Sequence, residues 1–307
     1  MKDVIEAVDK NLIIKELTPE RFLRKTNNGG NELYILNHNN SPNTMREIGR
    51  LRELTFRHAG GGTGEELDID KFDIQEEPYE QLITWDPDDQ EISGGYRFHI
   101  CNHESDPENL ATSKLFAFSD EFTKNYLPYM IELGRSFIQP KYQSSSAGRK
   151  ALFALDNLWD GLGALIVENP KVKYYFGKVT MYPHYNTEAR NMILYFLKSQ
   201  FPDSNNMVYP KLPLDLGIDT KNLELIFNGE DYKSNYKILQ KKVREFGLNI
   251  PPLINTYMNV SPSMKFFGTA INKTFGDVEE SGILITINDI FPAKRERYVE
   301  TYIETKK

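Results

Sequence analysis

Apolar residues recur at helical spacing in SPNTMREIGRLRELTFRHA, residues 41–59, where Met45, Ile48, Leu51 and Leu54 fall on one face. The spacing predicts a helix opened by Ser41 or Asn43 and closed by the glycines at 60–62. YEQLITW (79–85) reads as a strand, Asp86, Pro87, Asp88 and Asp89 as a turn, and EISGGYRFHI (91–100) as the hairpin partner. Gly94 and Gly95 inside that partner predict a bulge or a close backbone approach. YMIELGRSFI (129–138) reads as a further strand. A long helix follows from Gly148 or Arg149, with Leu152, Leu155, Leu158 and Leu162 on one face. YYFGKVTMY (174–182) is a strand and TEARNMILYFLKSQF (187–201) a helix. Beyond residue 202 the pattern loosens: 231–247 reads as a helix, 251–259 as apolar, and GILITIND (282–289) as a strand.

Strands alternating with helices, around a loop that opens a helix, predict a mixed α/β fold with function at the strand-to-loop edge. Residues 1–201 read as the core with its N-terminal segment. Residues 202–307 read as an extension completing the same domain, because no Pro/Gly/Ser-rich linker separates them.

Composition narrows the function classes. The 307 residues are 39% hydrophobic and 26% charged, values for a soluble globular protein with a substantial core. A net charge of -7 argues against a nucleic-acid binder. One cysteine, Cys101, excludes an internal disulfide and a cysteine-rich zinc site, and it reads as a small buried residue. The N-terminus alternates charged and apolar residues without the apolar run of a signal peptide, and no stretch is long enough to span a membrane. The expected location is cytoplasmic. An amphipathic segment in the first 24 residues leaves a peripheral contact with the inner membrane face open, beside the plainer reading of a helix docked on the body.

Two stretches carry candidate chemistry. EELDIDKFD (65–73) gathers five carboxylates in nine residues. A solvated loop, a metal site or a site for a cation would each use them. A calcium loop fits poorly, because Phe72, Asp73 and Ile74 break the D-x-[DN]-x-[DN]-G pattern. The second is QPKYQSSSAGR (139–149), where small residues follow a strand and open a helix. Free backbone N–H groups there suit a phosphate, although neither the P-loop nor the dinucleotide spacing is present. The five histidines show no paired ligand spacing, so no metal is expected, and no G-x-S-x-G supports a serine nucleophile.

IQPKYQSSSAGRKALF (138–153) resembles the acyl-donor loop of the GNAT acetyltransferase superfamily, with Ile138, Pro140, Tyr142, Gln143 and Gly148 at matching places. SSSAG stands where that superfamily has a glycine-rich run, which suits a single phosphopantetheine phosphate better than a coenzyme A pyrophosphate. Residues 46–135 resemble acyl-homoserine-lactone synthases: Arg52 and Phe56, then Asp68, Asp70 and Asp73 as D-x-D-x-F-D, then Arg97, then Glu132 and Arg135 as E-x-x-R. Asp68 stands where that signature has Glu. LWDGLGALIVENPKVKYYFGKVTMY (158–182) and IPPLINTY (250–257) resemble instead the hemolysin-like N-acyltransferases that make ornithine and glycine lipids. The likeness runs from about residue 30 to residue 292.

The resemblance implies a GNAT fold and transfer of a (3-hydroxy)acyl group from an acyl carrier protein thioester to an amino-acid α-amine, glycine or ornithine. It implies no permanently bound cofactor, with acyl carrier protein as donor and partner and acyl coenzyme A as the alternative donor. Glu132 is the candidate base, grouped with Arg135 and Arg97 as catalytic. The alternative for Glu132 is a buried pairing with one of those arginines. Arg52, Phe56, Asp68, Asp70 and Asp73 border the amine site, Asp70 and Asp73 being the expected inward-facing pair and Glu65 and Glu66 solvated. Gln143, Ser144, Ser145, Ser146, Ala147, Gly148 and Arg149 form the phosphopantetheine loop. Carrier protein is acidic, so Lys141, Arg149 and Lys150 are its expected dock. Two other readings stand beside this one: a synthase closing a lactone on S-adenosylmethionine, and a non-catalytic module that binds acyl chains or carrier protein.

Overall fold

The computed structural model describes residues 1–143, 148–217 and 220–306. In chain order the strands are β1 (Phe22–Lys25), β2 (Glu32–Leu36), β3 (Glu80–Asp86), β4 (Glu91–Ile100), β5 (Phe116–Phe118), β6 (Met130–Ile138), β7 (Tyr174–Met181), β8 (Val208–Pro210), β9 (Lys265–Asn272) and β10 (Val278–Thr286). The helices that matter below are α1 (Lys10–Glu16), α2 (Pro42–His58), the short α3 (Lys71–Ile74), α4 (Asp120–Asn125), α5 (Arg149–Glu168) and α6 (Thr187–Gln200). The class is mixed α/β.

The chain forms two compact units. One comprises Met1–Ile100, Ile131–Lys173 and Phe291–Lys307; the other comprises Cys101–Met130 and Tyr174–Ile290. This division differs from the expected boundary at residue 201. Residues 174–201 group with residues 202–290 because β7 pairs antiparallel with β10. The last residues group instead with the first unit, because they pack on α5.

In the first unit, β1, β2, β3, β4 and β6 lie side by side in that order, each pair antiparallel. Successive strand residues point to opposite faces. Gln81 meets Arg52 of α2, whereas Leu82 lies against Gly161 of α5. The two long helices therefore cover opposite faces of these strands. The predicted hairpin is β3–β4, and its turn is held by Asp86 Oδ1, which accepts from the Asp88 and Asp89 N–H groups. Gly94 is a close approach: a Cβ there would sit 2.6 Å from the Phe137 carbonyl oxygen of β6.

Neither Ser41 nor Asn43 caps α2 with its side chain. The Glu16 carboxylate at the end of α1 does so, accepting from the Asn43 and Thr44 N–H groups at 3.1 and 2.7 Å. The N-terminal segment is thus docked on the body, with Ile13 buried and the Val8 N–H bonded to Glu47. On α5, Leu158 and Leu162 are buried, but Leu152 is 72% exposed, because the first turn extends past the apolar face. At Gly163 a Cβ would lie 2.1 Å from the Tyr298 carbonyl oxygen, so only glycine lets the C-terminal helical run sit this close. Asp156 bonds Arg297 and Tyr298, and Glu168 bonds Tyr302, which holds that run on α5.

In the second unit β10 lies between β7 and β9, and β5 pairs with β8. Its core is aromatic: Phe116, Phe122, Phe176 and Phe267 cluster with Cys101, which is buried as expected of a small core thiol. Among the described residues no helix is long and apolar enough to cross a membrane.

Candidate active site

The acidic stretch folds back onto the face of β3 and β4 that α2 covers. Its path is set by Glu53 of α2, a fully buried carboxylate that accepts from the Thr63 and Gly64 N–H groups and pairs with Arg57. The glycine run before the acidic residues therefore wraps around one side chain. Asp70 then caps α3, accepting from the Phe72 N–H, while Asp73 accepts from the Asp70 N–H in return.

Three arginines meet the three aspartates. Arg52, 0% exposed, donates to Asp73 at 3.1 Å and to Gln81 of β3. Arg97 of β4 donates to Asp70 at 2.7 Å and to Asp73 at 3.0 Å. Arg135 of β6 sits 2.8 Å from one Asp68 oxygen and 3.1 Å from the other, with Asp70 at 3.6 Å. Asp68 and Asp73 are fully buried, and Asp70 keeps a fifth of its side chain exposed. The inward pair is thus Asp68 and Asp73 rather than Asp70 and Asp73, because Arg135 draws Asp68 in. Glu65 is exposed as expected and pairs with the exposed Lys2, while its neighbour Glu66 is also exposed.

Burial by itself would push the Asp73 carboxyl up. Arg52 and Arg97 on its two oxygens more than offset this and hold it well below the ordinary carboxylate range. The opening surplus of negative charge is therefore internal. It fixes α2, α3, β3, β4 and β6 as one rigid constellation, and removing either partner of such a pair costs about 3–5 kcal/mol.

The backbone of β6 departs from regular pairing at this point. Arg97 pairs with Gly134 and Gly95 with Phe137, so Arg135 and Ser136 together face the single residue Tyr96. This is a β-bulge, and Arg135 occupies it with φ 49°. A non-glycine residue in left-handed backbone is strained by about 1–2 kcal/mol. The guanidinium bonds to Asp68 hold it there.

Glu132 lies three residues ahead of the bulge and is 2% exposed. The Tyr79 hydroxyl donates to its Oε2 at 2.6 Å. The ring of His99 stacks on Tyr79 with centroids 4.6 Å apart. Arg97 lies over both the Phe72 and Tyr79 rings at 5.5 Å. Phe56 is buried on α2. The arrangement presents a carboxylate, a bulged strand and a neutralised wall, the parts that acyl transfer to an amine needs.

Sequence reasoning did not single out Tyr79, Gln81, His99 or Phe72 as site members. One signal was readable: at strand period Gln81 shares a face with Tyr79, two residues before it.

The loop ahead of α5 is described in part. Gln143 donates to the Ile138 carbonyl, and Gly148 caps α5 with φ 55°. Ser144, Ser145, Ser146 and Ala147 lie outside the described residues. Arg149 opens α5 and is exposed. Lys141 pairs with Asp89 and Glu91 at 3.2 and 3.1 Å, and Lys150 with Asp86 and Asp89 at 2.7 and 3.0 Å. The two lysines expected to form a carrier dock thus already share carboxylates of the β3–β4 turn. Their hydrogen bonds, with that of Tyr142, bring Asp89 down to about 2.

Residues 51–152 match the family model of the acetyltransferase (GNAT) domain, a segment that spans the arginines, the acidic box, Glu132 and the start of α5. Fold and site together define an acyltransferase of the GNAT type. Two curated relatives cover nearly the whole chain. The glycine N(alpha)-acyltransferase of Bacteroides thetaiotaomicron is 54% identical over 99% of this chain and 92% of its own length. That of Phocaeicola vulgatus is 51% identical over 99% of this chain and 94% of its own length. The chain belongs to the family of these glycine N(alpha)-acyltransferases. The solved structure of FeeM, an N-acyl amino acid synthase from uncultured soil microbes, aligns with 84% of this chain and 93% of its own at 9% identity, with a TM-score of 0.43.

Proposed function

We propose that this enzyme transfers a (3-hydroxy)acyl group from an acyl carrier protein thioester to the α-amine of glycine. The observation that carries the reading is identity of more than half over 99% of the chain with a glycine N(alpha)-acyltransferase. The charge balance of the site supports the choice of acceptor. Each aspartate of the acidic box is engaged by a guanidinium, so the box offers no spare anion to the second cation of ornithine. Glycine brings no side chain to recognise.

Glycine arrives as an ammonium ion. Glu132 takes a proton from it, and the freed nitrogen attacks the thioester carbonyl. The bulge at Arg135 and Ser136 turns backbone N–H groups toward the developing oxyanion. Collapse of the tetrahedral intermediate breaks the C–S bond, and the pantetheine sulfur leaves as a thiol. The loop from Gln143 to Arg149 holds the single phosphopantetheine phosphate. An acyl coenzyme A donor would ask the same loop to clamp a pyrophosphate. The carrier docks where Lys141, Arg149 and Lys150 flank the loop, competing with Asp86, Asp89 and Glu91 for the lysines. The product is an N-acylglycine, an amphiphile that a second acyltransferase can esterify at its 3-hydroxyl in aminolipid synthesis. Release of such a product suits a cytoplasmic enzyme working at the inner membrane face.

The test supplies purified enzyme with 3-hydroxyacyl carrier protein and, separately, glycine, ornithine, serine or S-adenosylmethionine. Free carrier thiol and product mass are followed. Thiol release that depends on glycine, with a product of N-acylglycine mass, is the expected result. Release driven by ornithine or S-adenosylmethionine instead would replace the acceptor, and no release with any amine would remove the assignment.

A further inference from the structure

Acylation of an ammonium ion has a proton problem that one carboxylate does not solve. Two protons leave the nitrogen between ammonium and amide. One returns to the departing thiolate, and the other must reach solvent. Glu132 is 2% exposed and its hydroxyl partner Tyr79 is 3% exposed, so neither opens directly to water.

The structure supplies a third group in the same row. Glu80 pairs with Phe98 across β3 and β4, which sets the preceding residue, Tyr79, beside His99. His99 in turn pairs with Glu132 across β4 and β6. Residues directly opposite in antiparallel strands project from the same face with Cβ atoms about 4.5–5.5 Å apart. Tyr79, His99 and Glu132 therefore form one cross-strand row, with the Tyr79 hydroxyl on Glu132 at 2.6 Å and its ring stacked on His99. Of the three, His99 alone is partly exposed.

We infer that His99 is a second proton-transfer group of this site, passing to solvent the proton that Glu132 takes from the amine, and that Tyr79 is the residue that positions Glu132 for this exchange. The inference rests on the amine-acylation reading above. In the step, Glu132 receives one ammonium proton and His99 accepts it from the carboxylic acid, leaving Glu132 anionic. The imidazolium then loses the proton to water. The second nitrogen proton passes by way of Glu132 to the thiolate as the C–S bond breaks. The groups facing His99 are Glu132 on β6, Tyr79 and Glu77 ahead of β3, and Arg97 two residues along its own strand. Burial holds His99 below the usual histidine range against the opposing pull of Glu132 and Glu77, so its resting form at neutral pH is the neutral acceptor.

The test uses the full chain, 3-hydroxyacyl carrier protein and glycine, with thiol release followed from pH 5 to 9 and melting recorded for every variant. His99→Gln should lower kcat about 100-fold with an unchanged KM for glycine, and should lose the acid limb of the wild-type profile. Imidazole should restore part of the rate to His99→Ala. Tyr79→Phe should lower kcat and displace that limb without raising KM. His99→Gln with wild-type kcat and an unchanged limb would overturn the inference, as would His99→Ala that imidazole does not help. If the His99 variants do not fold, NMR titration of the wild-type imidazole decides: protonation below pH 6.5 supports the role, and a ring still charged above pH 7 overturns it. Wild-type enzyme that releases no thiol with glycine would instead bring down the acylation reading itself, so the two failures are told apart in the unmutated protein.

Discussion

Two clusters in the first unit each bring three carboxylates to three cations. Asp68, Asp70 and Asp73 meet Arg52, Arg97 and Arg135, whose side chains are 0%, 3% and 14% exposed. Asp86, Asp89 and Glu91 meet Lys10, Lys141 and Lys150, whose side chains are 48%, 52% and 39% exposed. Equal charge counts give different devices. Arginine forks buried with carboxylates fix geometry, because no water can replace a lost partner. Exposed lysines hold their carboxylates loosely, are screened by salt and can exchange them for a partner's anions. The first cluster is architecture for the bulge and Glu132. The second is a latch of exposed pairs on the β3–β4 turn.

Breaking the buried cluster should have the largest effect. Asp73→Asn leaves Arg52 and Arg97 without their shared counter-ion, and a loss of about 3–5 kcal/mol is expected in urea unfolding. The same variant should change the acid limb of stability. Asp73 is held below its ordinary value in the folded chain, so its contribution is complete above about pH 4 and is lost as pH falls toward the folded value. Asp73→Asn should lack that loss. An acid transition identical to wild type would contradict the pairing.

Asp160 sharpens the comparison, as a buried carboxylate whose oxygens meet an amide rather than a guanidinium among the described residues. It is 0% exposed and accepts from the Asn27 N–H and side-chain amide at 2.7 and 2.6 Å. Burial raises it to about 6, against these bonds and the more distant Arg24. Its sign is opposite to that of Asp73: the folded chain binds this proton more tightly than the unfolded chain, so stability falls as pH rises from about 4 to 6. The span corresponds to roughly 2–3 kcal/mol. Asp160→Asn should flatten thermal stability across that window, and an unchanged slope would place the titration elsewhere.

The smallest effect belongs to the exposed latch. Asp89→Asn should change stability by less than about 1 kcal/mol. It should strengthen carrier protein binding a few-fold at low salt by removing one of the two carboxylates that Lys141 and Lys150 each hold, with the gain fading as salt is added. Weaker binding in a carrier titration would remove the dock from these lysines.

Legibility followed the range of the interactions. The hairpin β3–β4 and helix α2 were readable because period and turn chemistry are local. The cap of α2 was not, because Glu16 reaches it from 27 positions upstream of Asn43. The residues of the buried cluster were readable as a signature, but not which aspartate takes which arginine, since the strand faces decide that. The bulge was unreadable because Arg135 adopts a conformation that sequence reserves for glycine. Tyr79 and His99 stayed hidden because their meaning lies in cross-strand register. The two-unit division was hidden for the same reason: β7 joins β10 about a hundred residues later. Strand β9, KFFGTAIN, gave no clear alternation and became legible only through its pairing with β10.

The most direct measurement compares glycine-dependent thiol release by wild type, Glu132→Gln and Arg135→Lys, with melting temperature recorded for each. Glu132→Gln should lose at least about 100-fold in kcat while keeping its fold. Arg135→Lys should also lose rate, because an ammonium cannot span Asp68 and hold the bulge as the guanidinium does. Folded variants that both retain wild-type turnover would contradict the placement of the chemistry at β6.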